Sequence, residues 1–156
     1  MTYRKRIIAV IQARMSSSRL PGKVLRIVRG KPLLDYLIDR LECCSQLDGI
    51  ILATSDQVSD DPLFEFAKSK SLRCHRGSLD DVALRVLTAA DEMHADAAVR
   101  VCGDSPLLDH NQVDKFISIF RREDQMDLVT NVQHRTFPKG QSIEILNFVS
   151  FKILDL

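Results

Sequence analysis

The sequence predicts an α/β protein, a mostly parallel sheet between helices in a three-layer α/β/α arrangement. Three observations carry this. Residues 7–11 (IIAVI) are an unbroken apolar run rather than an alternating one, the pattern of a strand covered on both faces. Runs of the same kind recur at 49–54 (GIILAT) and 97–102 (AAVRVC). Between and after them, apolar residues repeat at helical spacing, and end-to-end alternation of strand and helix builds parallel sheets.

Taken in order, 7–11 is a central parallel strand. Leu33, Leu34, Leu37, Ile38 and Leu41 then form a helical stripe, and 49–54 is a second buried strand. A short helix is predicted over 62–70, opened by Asp60, Asp61 and a proline in its first turn. Residues 73–76 read as a short strand. The next helix has Ala83, Val86, Leu87 and Ala90 on its apolar face, with Ser78 or Asp80 as its cap. After the strand at 97–102, Val113, Phe116, Ile117 and Phe120 repeat at i, i+3, i+4 and i+7, the buried face of a helix. Strands follow at about 128–132 and 142–146. Residues 148–156 (FVSFKILDL) begin an apolar helix that either caps the sheet or marks a chain shorter than its natural domain.

At 156 residues the sequence fits a single domain over 1–156, with no linker, repeat or low-complexity segment. Lys and Arg number 22 against 21 Asp and Glu, a net charge of +1, so no basic excess points to nucleic acid and no polybasic stretch to a membrane. No apolar run approaches the roughly 20 residues of a membrane span, and MTYRKR leads straight into a strand, so the expectation is a cytoplasmic protein. Cys43, Cys44, Cys74 and Cys102 have no CxxC spacing and are expected as reduced thiols; the four histidines are scattered, and no zinc site is foreseen.

If the strands are parallel, ligands belong at their carboxyl ends. After the first strand comes a loop with Arg14, Ser16, Ser17, Ser18, Arg19 and Lys23, its turn fixed by Pro21-Gly22. Guanidinium groups, an ammonium and small residues with approachable backbone N–H groups suit a phosphate. A solvated basic loop is the plain alternative, and the position after a central strand favours phosphate. The segment is neither GxxxxGK[ST] nor GxGxxG. Past the fourth strand lies Gly103-Asp104-Ser105-Pro106, where Asp104 is either a Mg²⁺ ligand facing the basic loop or the cap of an ordinary turn. Asp80 and Asp81 also read as first-turn carboxylates. Arg100, inside a strand, needs a partly open face or a paired carboxylate.

The segments IIAVIQARMSSSRLPGKVL, LATSD, RGSLDDVALR, VRVCGDSPLLD and NVQHRTFPKG with IE following resemble the cytidylyltransferases that activate acidic sugars, closest to the branch of spore coat polysaccharide biosynthesis protein F and related to the acylneuraminate and Kdo enzymes. The resemblance implies a nucleotide-diphospho-sugar transferase fold and the reaction of CTP with a sugar to CMP-sugar and pyrophosphate, for polysaccharide or glycan biosynthesis. By position it implies that Gln12 and Ala13 contact cytosine, and that Arg14 and Lys23 grip the triphosphate, with Ser17 and Arg19 in the same loop. Asp104 would bind Mg²⁺, and Ser78, Asp81 and Arg85 would line the cleft. Arg135 and Lys139 are candidates for an acidic sugar, equally readable as exposed loop charges, and Arg100 and Glu144 are placed near the same substrate. The family is also expected as a homodimer. Where it carries a Gly-Leu-Asp-Val-Glu type segment, this sequence has Gly140-Gln141-Ser142-Ile143-Glu144, so one carboxylate is a serine. Family members are longer, the remainder completing the sugar site and dimer interface. Two alternatives follow: a non-catalytic nucleotide-binding module, and a glycosyltransferase on the same fold, for which no Asp-x-Asp is evident.

Overall fold

A computed structural model describes residues 3–123, 125–148 and 150. Its main sheet has six strands: β1 (Ile7–Gln12), β4 (Ile50–Ser55), β5 (Arg73–Gly77), β6 (Ala97–Cys102), β7 (Leu128–Thr130) and β8 (Glu144–Asn147), in the order β5-β4-β1-β6-β8-β7. The first four are mutually parallel; β8 runs antiparallel to β6 and to β7. The fold class is therefore as the sequence predicts, a mostly parallel sheet between helices.

The continuous apolar run of β1 has its cause in the two faces of the sheet. Ile7, Ala9 and Ile11 pack against α1 (Leu33–Glu42), α2 (Asp61–Ser69) and α4 (His110–Arg122), through residues such as Leu37, Leu63 and Ile117. Ile8 and Val10 point the other way, onto Val86, Ala89 and Ala90 of α3 (Val82–Glu92). All five β1 residues from Ile7 to Ile11 are fully buried. Each large aliphatic side chain so buried contributes about 1.5–3 kcal/mol, and the strand has no face to give to solvent.

Three local readings change. The α3 cap is Asp81, whose carboxylate accepts from Leu84 N at 2.8 Å; neither Ser78 nor Asp80 takes that place, and Ser78 Oγ instead accepts from Asp81 N. Ala83 is exposed, because the buried face of α3 runs through Arg85, Val86, Ala89 and Ala90, and a guanidinium in an apolar slot disguised the period. A small hairpin, β2 (Ile27–Val28) with β3 (Lys31–Pro32), is an addition to the predicted elements. Its tip, Arg29 and Gly30, has φ of 47° and 91°, the two left-handed residues of a tight hairpin turn. Of the apolar helix expected over 148–156, only Phe148 and Ser150 are among the described residues; Phe148 is buried on the α3 face.

No helix among the described residues is long and apolar enough to cross a membrane. The four cysteines are free thiols, with burial pushing Cys44 up to about 12 and Cys74 to about 11.

Candidate active site

The parallel strands bring their carboxyl ends to one edge of the sheet, and there a cavity of about 240 Å³ opens between the loop after β1 and the turn after β6. It is lined by Gln12, Ala13, Arg14, Ser17, Arg19 and Lys23 from one side and Asp104 from the other, together with Ser18, Cys102 and Gly103. The two walls are joined tightly. Gly103 N donates to Gln12 O at 2.8 Å, and a Cβ at Gly103 would stand 2.9 Å from Ala13 Cβ, so only glycine lets the strands approach so closely. Gly22, with φ of 69°, turns the loop back: its N–H donates to Met15 O and sets Lys23 at the start of a 3₁₀ turn.

Lys23 Nζ forms an ion pair with Asp104 Oδ2 across the cavity. Both side chains remain partly exposed, so the pair opens at little cost when a phosphate competes for the ammonium. Arg14 and Arg19 stand exposed on the same loop.

Asp60 is the residue that sequence reasoning missed. It was read as a first-turn acid, but it makes no capping bond to α2 and is fully buried. Its carboxylate accepts from Met15 N at 2.7 Å, from Ser55 N and Thr54 Oγ1 at 3.2 Å, and from Ser55 Oγ. Burial pushes the Asp60 carboxyl up, yet these donors outweigh it and hold it below the ordinary carboxylate range. Asp60 thereby pins the basic loop to the end of β4. The only sequence signal was the Thr54-Ser55 hydroxyl pair at a buried strand end.

The remaining candidates lie elsewhere. Ser78 and Asp81 order the start of α3 rather than lining the cavity. Arg85 is 1% exposed, with Nη1 donating to the carbonyls of Ser78 and Leu79, and burial lowers its pKa. Arg100 and Glu144 pair on the α3 face of the sheet. Lys139 lines a second cavity of about 320 Å³ that shares Asp104 with the first and is bounded by Gln141. Gln141 clips the two loops of that cavity together, accepting from Asp109 N at 2.9 Å and donating to Leu107 O at 2.6 Å. Arg135 is exposed and lines neither cavity, and Ser142 is half-buried.

A family model described as cytidylyltransferase matches residues 8–150 of the chain. The chain belongs to the cytidylyltransferase family. Among its cytidylyltransferase relatives in structure, one from Leptospira borgpetersenii superposes with a TM-score of 0.91 at 32% identity, covering 97% of this chain and 64% of that one. CMP:2-keto-3-deoxy-manno-octonic acid synthetase, solved in complex with CTP, shares the fold at TM-score 0.76 and 17% identity, covering 96% of this chain and 77% of that one. In sequence, spore coat polysaccharide biosynthesis protein SpsF of Bacillus subtilis is 36% identical over 115 residues, 71% of this chain and 48% of that protein. The chain spans about half the length of the curated relatives it matches in sequence.

For a cytidylyltransferase, the fit of a metal can be tested on the donor set. Among the described residues no three metal-ligating side chains cluster. Asp104 is a single carboxylate, open enough to exchange its lysine partner, beside a cationic loop. One carboxylate suits a Mg²⁺ whose other ligands are phosphate oxygens and water, and does not suit a metal held by protein alone.

Proposed function

We propose that the cavity binds CTP with Mg²⁺ and that the protein transfers CMP to a sugar, releasing pyrophosphate. One observation carries the reading: Arg14, Ser17, Lys23 and Asp104, from two different loops, line one cavity at the carboxyl edge of the sheet in a member of the cytidylyltransferase family. The loop's cations and backbone N–H groups bind the triphosphate, and Gly22 and Asp60 hold that loop in shape before the ligand arrives. A sugar hydroxyl attacks the α-phosphate in line with departing pyrophosphate. Side chains have little covalent work in such a step, so rate comes from positioning and from neutralising charge that builds on the leaving group. Lys23 and Arg14 supply that neutralisation. Mg²⁺ held by Asp104 adds Lewis-acid charge at the phosphate oxygens when bound.

Lys139, across Asp104 in the adjoining cavity, is placed to attract an acidic sugar, and Arg135 precedes it on the same exposed segment. The name of one relative, 3-deoxy-manno-octulosonate cytidylyltransferase, supports an acidic sugar, and that of another, spore coat polysaccharide biosynthesis protein SpsF, supports a polysaccharide destination. Incubation with CTP, Mg²⁺ and a panel of acidic sugars, monitored by pyrophosphate release, tests the reading. Release with at least one sugar and none with ATP is expected; no release across the panel contradicts transfer. A second reading, nucleotide binding without transfer, is favoured by Ser142 in place of a carboxylate. CTP binding without pyrophosphate from any sugar would support it.

A further inference from the structure

Arg100 sits in β6 opposite Val10 of β1 and Glu144 of β8, on the sheet face that also carries Ile8, Val10 and Ala98. A guanidinium on so apolar a face is costly unless every donor is used. Nε donates to Glu144 Oε2 at 2.7 Å, Nη2 pairs with the same oxygen, and Nη1 donates to Gln12 Oε1 at 2.9 Å. Three of its donors are thereby used within the protein, and its charge is paired with Glu144.

The contact with Gln12 decides something further. A guanidinium has donors only, so the atom of the Gln12 amide that faces it must be the oxygen. The amide cannot flip without placing its NH₂ against the Nη1 donor. Its Nε2 donors are thereby directed away from Arg100, and no partner for them exists among the described residues. Gln12 lines the cavity of Arg14, Ser17 and Lys23. We infer that the Arg100–Glu144 pair is a positioning device that locks Gln12 as a hydrogen-bond donor to an acceptor oxygen of the pyrimidine nucleotide, the ring carbonyl or a ribose hydroxyl. The inference rests on the reading of the cavity as a CTP site. It makes the end of β1 a reader of acceptor atoms, with its polarity set by a neighbour on the same face of the sheet.

Gln12→Glu is the discriminating variant. Glutamate has the same shape and pairs with Arg100 more strongly, so thermal stability holds or rises, but the donor is lost. Calorimetric titration should show CTP affinity reduced tenfold or more, while inorganic triphosphate, which has no base or ribose, changes less than twofold. If a ribose 2′-hydroxyl is the acceptor, dCTP binds wild type more weakly and loses nothing further in Gln12→Glu; if the ring carbonyl is, CTP and dCTP lose the same factor. Equal CTP affinity in wild type and Gln12→Glu overturns the inference, as does an equal loss for CTP and triphosphate, which would mean charge repulsion alone. A wild-type protein that binds triphosphate but not CTP overturns the nucleotide reading beneath it. Arg100→Lys cannot fork between Glu144 and Gln12. It should lower CTP affinity three- to tenfold and broaden or double the Gln12 side-chain amide resonances, with backbone resonances of β1 and β6 unmoved. One unchanged, sharp pair of amide signals in that variant would exclude the positioning role.

Discussion

Lys23 and Asp104 hold each other across the cavity as a part-exposed ion pair, and on the proposed reading a phosphate would compete for the ammonium and Mg²⁺ for the carboxylate. Replacing Lys23 by Ala should weaken CTP binding by about 1.5–3 kcal/mol, at least tenfold, since the lost contact is a charged hydrogen bond. The melting temperature without ligand should barely move, because a part-exposed pair contributes little to folding; calorimetry and thermal melts check both. Asp60 behaves oppositely. Its folded-state pKa is depressed, so its contribution is present above the ordinary carboxylate pKa of about 3.9 and is lost as pH falls through the folded value. Melting temperature should drop on acidification from about pH 5 to pH 2. In Asp60→Asn the protein should be destabilised at pH 7 by about 2–4 kcal/mol with a flatter acid limb, because buried donors lose their acceptor. An unchanged acid limb would mean other carboxylates govern it. Arg14, Ser17, Lys23 and Asp104 were legible because they follow buried strands directly. Asp60 was not, nor was the burial of Arg85, since an acid in a helix's first turn and a cation on a helix face look ordinary until tertiary packing buries them.

At the scale of elements, the site depends on how closely β1 and β6 end together. Gly103→Ala would set a Cβ 2.9 Å from that of Ala13 and 3.3 Å from Gln12 O. Forcing these walls apart should cost about 1–3 kcal/mol of stability and, by displacing Asp104, a larger share of CTP affinity. Gly30→Ala is the matched control: it strains a left-handed residue by about 1 kcal/mol in a hairpin that contributes nothing to the cavity, and CTP affinity should be unchanged. A comparison of melts and titrations for the two variants separates the effects. The long elements were readable because burial on both faces writes a continuous apolar run and burial on one face a helical stripe. β2 and β3, two residues each, carry no period to read, and α3 was misregistered because Arg85 occupies an apolar slot.

At the scale of the molecule, among the described residues one face of the sheet is covered by three helices and the other by α3 with Phe148, the polar Arg100–Glu144 pair being set into it. The fold thus separates a rigid apolar body from an edge where two loops and a cation-rich cavity meet. A ligand that binds only this folded edge stabilises the entire domain: at a hundredfold excess over Kd the gain is about 2.7 kcal/mol, roughly 5–10 °C in melting temperature. That the basic loop and the Gly-Asp turn would meet at one edge was legible from the strand order; the contacts of Arg100 with Gln12 and Glu144 were not, because they join residues 88 and 44 positions apart across the sheet. On the proposed reading this edge is a CTP site. Isothermal titration of the wild-type protein with CTP and with ATP, each in the presence of Mg²⁺, tests it most directly. Saturable binding of CTP at least tenfold tighter than ATP is predicted; equal affinity for the two nucleotides, or no heat with CTP, would contradict it.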